Sequence, residues 1–276
     1  MDWVNIWFFK LAVAFYLLGT FKYLLFIILL RELLAKIAYL SLSAGFALHT
    51  IAFIVRWIEG GHTPVTNLHE SLSFFAWAIT GVYLVFYRRY RIKVLGPFIS
   101  TLVLILMISA MALPKEILPF APVLRSYWLP IHVIFAFLGN AIFALAFCAG
   151  IMYVIQEHQV KSKHIGALSR RLPSLEVMDE INYKALTFGF PLLTVGIITG
   201  SIWAQYAWGS YWSWDPKETW SLITWCLYAA LLHQRLTIGW RGRKAAIMAI
   251  IGFFAILFTF LGVNLVLGGL HAYSNW

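Results

Sequence analysis

The chain has 276 residues, of which 62% are hydrophobic and 12% charged, with a mean hydropathy of +0.81. Soluble domains run near half apolar and a quarter charged, so this composition excludes an ordinary water-soluble protein and makes lipid the solvent. A net charge of +10 would suit a nucleic-acid binder if the cations shared one surface, but their distribution excludes that partner as well.

Apolar runs of roughly the 18 to 25 residues that span a bilayer core as helix recur along the chain. They cover about 4–29, 37–57, 71–87, 94–113, 131–155, 185–204, 218–236 and 246–267. Backbone groups in hydrocarbon must be satisfied within their own segment, and the runs are too long for barrel strands. The predicted class is therefore all-α: a polytopic membrane protein of about eight transmembrane helices, read as one integral-membrane domain over 1–276. The first run is not read as a cleaved signal peptide, since it lacks a basic leader, is too long and shows no small-residue cleavage site.

Fifteen cations lie in alternate connections: Arg31 and Lys36, then Arg88, Arg89, Arg91 and Lys93, then Lys161, Lys163, Arg170, Arg171 and Lys184, then Arg235, Arg241, Arg243 and Lys244. The remaining connections hold four, Arg56, Lys115, Arg125 and Lys217, while Lys10 and Lys22 lie in the first run and can snorkel to opposite surfaces. The positive-inside rule predicts both termini on the outer side.

Taken in order, the connection "RWIEGGHTPVTNLHES" (56–71) has turn-like density of Gly, Pro, Thr and Asn, and "LPKEILPFAPVLRSYWLP" (113–130) reads as an external loop. In "LSRRLPSLEVMDEINYKAL", Leu175, Met178, Ile181 and Ala185 recur at helical spacing, which predicts a short amphipathic helix on the inner face. Cys148 and Cys226 both fall inside spans and form no CxxC, so they read as packing residues and not as a redox or metal pair.

The stretch "WGSYWSWDPKETW" (208–220) places four tryptophans among polar groups on the predicted outer side. Asp215, Pro216 and Glu218 fit a capping box with proline at N1, opening the seventh span. That explains the acids, and interfacial tryptophan is common. It leaves unexplained why Trp203, Trp208, Trp212, Trp214, Trp220 and Trp225 all belong to one hairpin. Indole offers a broad rigid face, so the alternative is a platform for a flat apolar ligand, with Trp208 and Trp212 sharing a face if their segment is helical. Haem suits such a surface, and its propionates would call for a cation among Lys217, Arg125 and Arg56.

Haem also needs axial ligands. His132 opens the fifth span and His271 follows the eighth, both at the predicted level of the tryptophan loop. His233 lies about 22 Å into the seventh span at 1.5 Å per residue, where an ionisable group is functional by default. His49, the other intramembrane histidine, sits at a different depth, so His233 either caps a local hydrogen bond or finds its mate in another polypeptide. His62 and His69 belong to the 56–71 turn, where they assist or merely cap. His158 and His164 lie among lysines.

"WAQYAWGSYWSWDPKETWSLITW", with "GHTPVTNLHES", "LPIHV", "LPSLEVMDEINYKAL", "ALLHQR" and "GVNLVLGGLHAYS", resembles the CcsA/ResC family of System II cytochrome c biogenesis proteins, within the haem-handling WWD group. The resemblance implies that the chain, with a CcsB/ResB partner, delivers haem b to the outer side and supports its thioether attachment to the CxxCH of apocytochrome c, a holocytochrome c synthase activity. It implies that His132 and His271 are external axial ligands, that His233 is an intramembrane ligand whose mate comes from the partner, and that 203–225 is the haem-binding segment. Within that segment Asp215, Trp208, Trp212, Trp214 and Trp220 carry over, and Gly268 and Gly269 let backbone approach the macrocycle. A bacterial inner membrane or a thylakoid membrane is the implied location. The alternatives are a System I-type protein passing haem to a chaperone, a membrane b-type cytochrome, and a transporter of another aromatic molecule.

Overall fold

The computed structural model describes residues 3–117, 126–163, 166 and 171–267, with only the backbone of Asn264 and Leu265. The regular elements among them are all helical: α1 (Trp3–Leu29), α2 (Glu32–Gly60), α3 (Leu68–Tyr90), α4 (Leu95–Ala112), α5 (Trp128–Lys161), α6 (Leu175–Trp208), α7 (Pro216–Thr237) and α8 (Arg243–Leu257). The last continues as a wider π-helical segment, Phe258–Leu267. All of these except α7 are long and apolar enough to cross a membrane. The 22 residues of α7 reach about 33 Å at 1.5 Å per residue, but His233, Gln234 and Arg235 lower its apolar content. The chain is a multi-pass membrane protein.

Two compact units divide it, Met1–Phe120 and Ala121–Trp276. In the first, α1 packs on α2 and α4, and α3 on α4 and α2. Lipid supplies no hydrophobic drive between helices, so close contact depends on small residues and polar links. A Cβ on Gly45 would fall 2.8 Å from the Tyr16 ring, and one on Gly96 would fall 2.5 Å from that of Tyr23. In the second unit α5 pairs along its length with α6, and α8 packs on α5 and α7.

The predicted short amphipathic helix does not stand alone. Leu175, Met178, Ile181 and Ala185 form the first turns of α6, a continuous helix of 34 residues. Ser174 caps it, accepting from the Val177 N–H at 3.4 Å, and no breaker separates the amphipathic turns from the apolar ones. Pro191 lies within the helix without ending it.

Candidate functional site

The seam between α5 and α6 is built from small residues. A Cβ on Gly139 would lie 2.8 Å from the Leu193 nitrogen, one on Gly189 2.9 Å from the Phe143 ring, and one on Gly196 2.9 Å from the Ala136 backbone. The backbones are therefore as close as they can come. At the end of this seam His132, in the second turn of α5, lies against Gly200 of α6.

His132 Nδ1 sits 2.7 Å from the Gly196 carbonyl oxygen. A carbonyl only accepts, so Nδ1 is the donor and the lone pair is on Nε2. That is the neutral form in which imidazole ligates a metal, its tautomer fixed by a bond from the other nitrogen. The ring lies nearly parallel to Trp203, at 10° and 6.2 Å between centroids. Trp208 meets Trp203 edge-on at 5.0 Å.

Helix α6 ends at Trp208, where Gly209 turns left-handed at φ 77° and its N–H returns to the Gln205 carbonyl. Trp208 and Trp212 therefore share no helix face. Trp212 instead packs edge-on against Trp214 at 5.8 Å. Trp214 is 67% exposed and has φ 58°, a conformation that bulky residues rarely adopt.

Glu218 holds that conformation in place. Its Oε2 accepts from the Ser213 N–H at 2.7 Å and the Asp215 N–H at 3.2 Å, gripping the backbone on both sides of Trp214. The Thr219 hydroxyl donates to the Trp214 carbonyl at 3.2 Å, and Ser201 Oγ donates to the Tyr211 carbonyl at 2.8 Å, tying the loop to α6. The buried Asp215 carboxylate accepts from the Lys217 N–H, completing the expected capping box. Asp215 thus shapes the loop and starts α7.

The remaining tryptophans divide. Trp220 packs on Phe258 at 4.3 Å, where the π-helical segment begins. Trp225 is a packing residue, its Nε1 donating to Thr194 Oγ1 at 2.9 Å. His271, Gly268 and Gly269 lie outside the described residues, as do Arg125 and His164. His233 is exposed on α7, about 26 Å along the helix from Pro216. His158 is exposed near the end of α5, and Lys217 is half-buried beside Asp215.

Arg56 does not serve as a spare cation. Its Nε donates to Glu70 Oε1 at 2.7 Å with both side chains buried, and its two remaining nitrogens donate to the Lys115 and Glu116 carbonyls. Glu70 Oε2 in turn accepts from the Thr66 N–H and hydroxyl. His49 Nε2 bonds Ser73 Oγ at 2.7 Å and Nδ1 lies 3.3 Å from the Tyr16 hydroxyl, so both ring nitrogens are engaged. His69 donates to the Ala110 carbonyl at 2.7 Å and His62 to that of Thr63 at 3.1 Å. These side chains build the first unit.

A neutral imidazole stacked on one indole that meets a second, with the largely exposed Trp214 in the loop that follows, has the chemistry to hold a planar metal macrocycle. Sequence reasoning missed the roles of Gly196 and Gly200 in arranging it, and the bond of Glu218 to Ser213 beyond its expected capping box. The "GIITG" spacing on α6 was the readable signal for the two glycines.

The cytochrome c assembly protein family matches residues 65–271. The cytochrome c biogenesis protein CcsA of Chlamydomonas reinhardtii is 40% identical over 232 residues, covering 81% of this chain and 64% of that protein. The CcsA of Guillardia theta is 38% identical, covering 82% of this chain and 81% of its own length. Among solved structures, the cytochrome c heme lyase CcmF superposes with a TM-score of 0.69 at 19% identity, over 94% of this chain and 46% of that one. At that identity the likeness is one of fold.

Proposed function

The chain belongs to the cytochrome c assembly protein family, and from that premise we propose that it handles haem in cytochrome c biogenesis, holding it by His132 on the outer side of the membrane. The observation that carries this reading is the Nδ1–H bond from His132 to the Gly196 carbonyl, made beside Trp203 and the tryptophan loop. It sets the tautomer that carries the lone pair on Nε2, the form in which an imidazole ligates iron.

In this reading all eight helices cross, both termini lie outside, and His271 supplies the second axial ligand. The indoles of Trp208, Trp212, Trp214 and Trp220 hold the macrocycle. Asp215 and Glu218 keep the loop in shape, and Gly268 and Gly269 leave room next to His271. Lys217, which opens α7 beside Asp215, and Arg125 are the cations for the propionates. Bound haem b supplies the iron for coordination and two vinyl groups for attachment. Each thiol of an apocytochrome CxxCH adds across one vinyl double bond, sulfur to one carbon and hydrogen to the other, so no oxidant or reductant is consumed. The chain's own contribution is then proximity and orientation. A CcsB/ResB-type partner completes the synthase and supplies the mate of His233.

The test is an optical spectrum of the protein purified with such a partner, followed by addition of a CxxCH-bearing apocytochrome. A low-spin haem that His132→Ala with His271→Ala removes, and a covalent haem adduct on the wild type alone, are expected. An unchanged spectrum in the double variant would sink the assignment.

A further inference from the structure

Helix α7 has two faces. Thr224, Tyr228 and Leu231 are buried, the Arg235 side chain is 7% exposed, and the four follow one helical stripe. Ile223, Cys226, Ala230, His233 and Thr237 are exposed and follow another. Two residues at about 100° each place His233 about 200° round the helix from Arg235. Whatever fixes the direction of Arg235 therefore fixes the direction of His233.

Arg235 is fixed by Asp179 of α6. Nη1 donates to Oδ1 at 2.9 Å and Nη2 to Oδ2 at 2.6 Å, a two-pronged bond with a single orientation. The guanidinium also lies over the Tyr183 ring at 4.6 Å. Asp179 Oδ1 accepts as well from the Gly242 N–H at 2.8 Å, in the turn that leads to α8. That glycine has φ 67°, and a Cβ on it would fall 2.6 Å from the Tyr153 hydroxyl. One carboxylate thus gathers α6, the end of α7 and the start of α8. Two stretches that the sequence leaves unconnected, "LPSLEVMDEINYKAL" and "ALLHQR", meet in it.

We propose that Asp179 and Arg235 are positioning residues for His233: their fork sets the rotation and height of α7 so that the imidazole is turned away from its own bundle, toward an iron shared with a partner histidine. This rests on the reading of His233 as an axial ligand. Tyr228, stacked on Phe143 at 3.6 Å and 5°, fixes the middle of the helix. His233 lies a turn and a half beyond it, where the fork adds a directional hold on the rotation against the pull of a bound macrocycle. A lysine at 235 would keep the charge and lose the fork.

The test uses the full chain copurified with its ResB-type partner, in a His132→Ala background, so that the haem retained reports the inner site. Arg235→Lys and Asp179→Asn are expected to lower low-spin haem per folded protein about tenfold, the range for a group that orients a ligand. The remainder should turn high-spin and recover with added imidazole, while helical content and copurification stay at the level of the parent. Asp179→Glu, which keeps both charges, should fall between. Wild-type spin state and reduction potential in both Arg235→Lys and Asp179→Asn would overturn the inference. So would loss of the haem only in step with loss of helical content, with Asp179→Glu unchanged. His233→Ala in the same background separates the two claims. If it retains the haem, the ligand reading itself fails; if it loses the haem while the fork variants keep theirs, the positioning role alone fails.

Discussion

A methyl group on Gly200 would fall 2.6 Å from both Cε1 and Nδ1 of the His132 ring, so the imidazole occupies the space that any other residue at 200 would need for its side chain. One turn earlier on the same helix, the Gly196 carbonyl accepts the Nδ1 proton at 2.7 Å. Residue 200 supplies room and residue 196 supplies direction. Between them they fix where Nε2 points.

Gly200→Ala should therefore displace the ring without unfolding the pair of helices. Contacts under 3 Å cannot be absorbed by α6 backbone already in contact with α5, so the imidazole must move. The expected result is about a tenfold loss of haem held by His132, read as low-spin absorbance per folded protein, with helical circular dichroism unchanged. A wild-type spectrum in this variant would mean that His132 tolerates a different rotamer and that the seam does not position it.

Trp214 offers a trade between stability and binding. Its left-handed backbone stores about 1–3 kcal/mol of strain for a non-glycine residue, whereas its exposed indole has little burial to lose beyond the edge contact with Trp212. Trp214→Gly should leave the melting temperature in detergent unchanged or raised. Haem per folded molecule should fall, as it should in Trp208→Ala and Trp212→Ala. Equal haem occupancy in all three variants would refute the platform.

Glu218 carries the loop's geometry through two backbone N–H groups and the Ser213 hydroxyl. Hydrogen bonds to a charged acceptor contribute about 1.5–3 kcal/mol each. Glu218→Ala should destabilise the second unit by an amount of that order and release the backbone around Trp214, visible as faster amide exchange at Ser213 and Asp215. Glu218→Gln keeps an acceptor oxygen and should lose less. No difference in exchange between wild type and Glu218→Ala would show that the loop is held by its aromatic contacts alone.

The spans were legible because each is an uninterrupted apolar run, and the capping box because Asp215, Pro216 and Glu218 sit at fixed offsets. The histidines were harder. His132 and His49 look alike in sequence, each a lone imidazole among apolar residues. The difference is tertiary: His49 is held by the side chains of Ser73 and Tyr16, while His132 is turned by the Gly196 carbonyl of the neighbouring helix and stacks on Trp203. Arg56 was misjudged for the same reason, since its partner Glu70 comes from another helix and only folding brings the pair together. The interfacial helix at 175–185 was misplaced because amphipathic spacing shows which side of a helix is apolar and not where the helix stops.

That buried pair makes its own prediction. Removing one partner of a buried, hydrogen-bonded ion pair strands a charge and costs about 3–5 kcal/mol. Glu70→Ala should accordingly lower the yield of folded protein in membranes sharply, with Arg56→Met similar. The double variant Arg56→Met with Glu70→Met should recover part of the loss, because it removes both charges together. If the double variant is as poor as the sum of the singles, the pair contributes through its links to Thr66, Lys115 and Glu116 and not through mutual neutralisation.

The order in which haem passes between sites gives the last prediction. His233 is exposed far along α7 from the tryptophan loop, whereas His132 lies beside it through Trp203 and Trp208. In the proposed orientation, with the loop outside, haem arriving from the inner side meets His233 first. An unpaired imidazole facing hydrocarbon is unfavourable, so the side chain gains by binding iron with a partner histidine. His233→Ala should then deplete both sites in cells, while His132→Ala should leave the inner haem in place. The measurement is the haem content of each variant purified with its partner, before and after haem is added to the detergent-solubilised complex. Added haem should refill the outer site of His233→Ala, because that site's own residues are intact. If His233→Ala instead keeps normal outer haem in cells, haem reaches His132 by another route and the relay order is wrong.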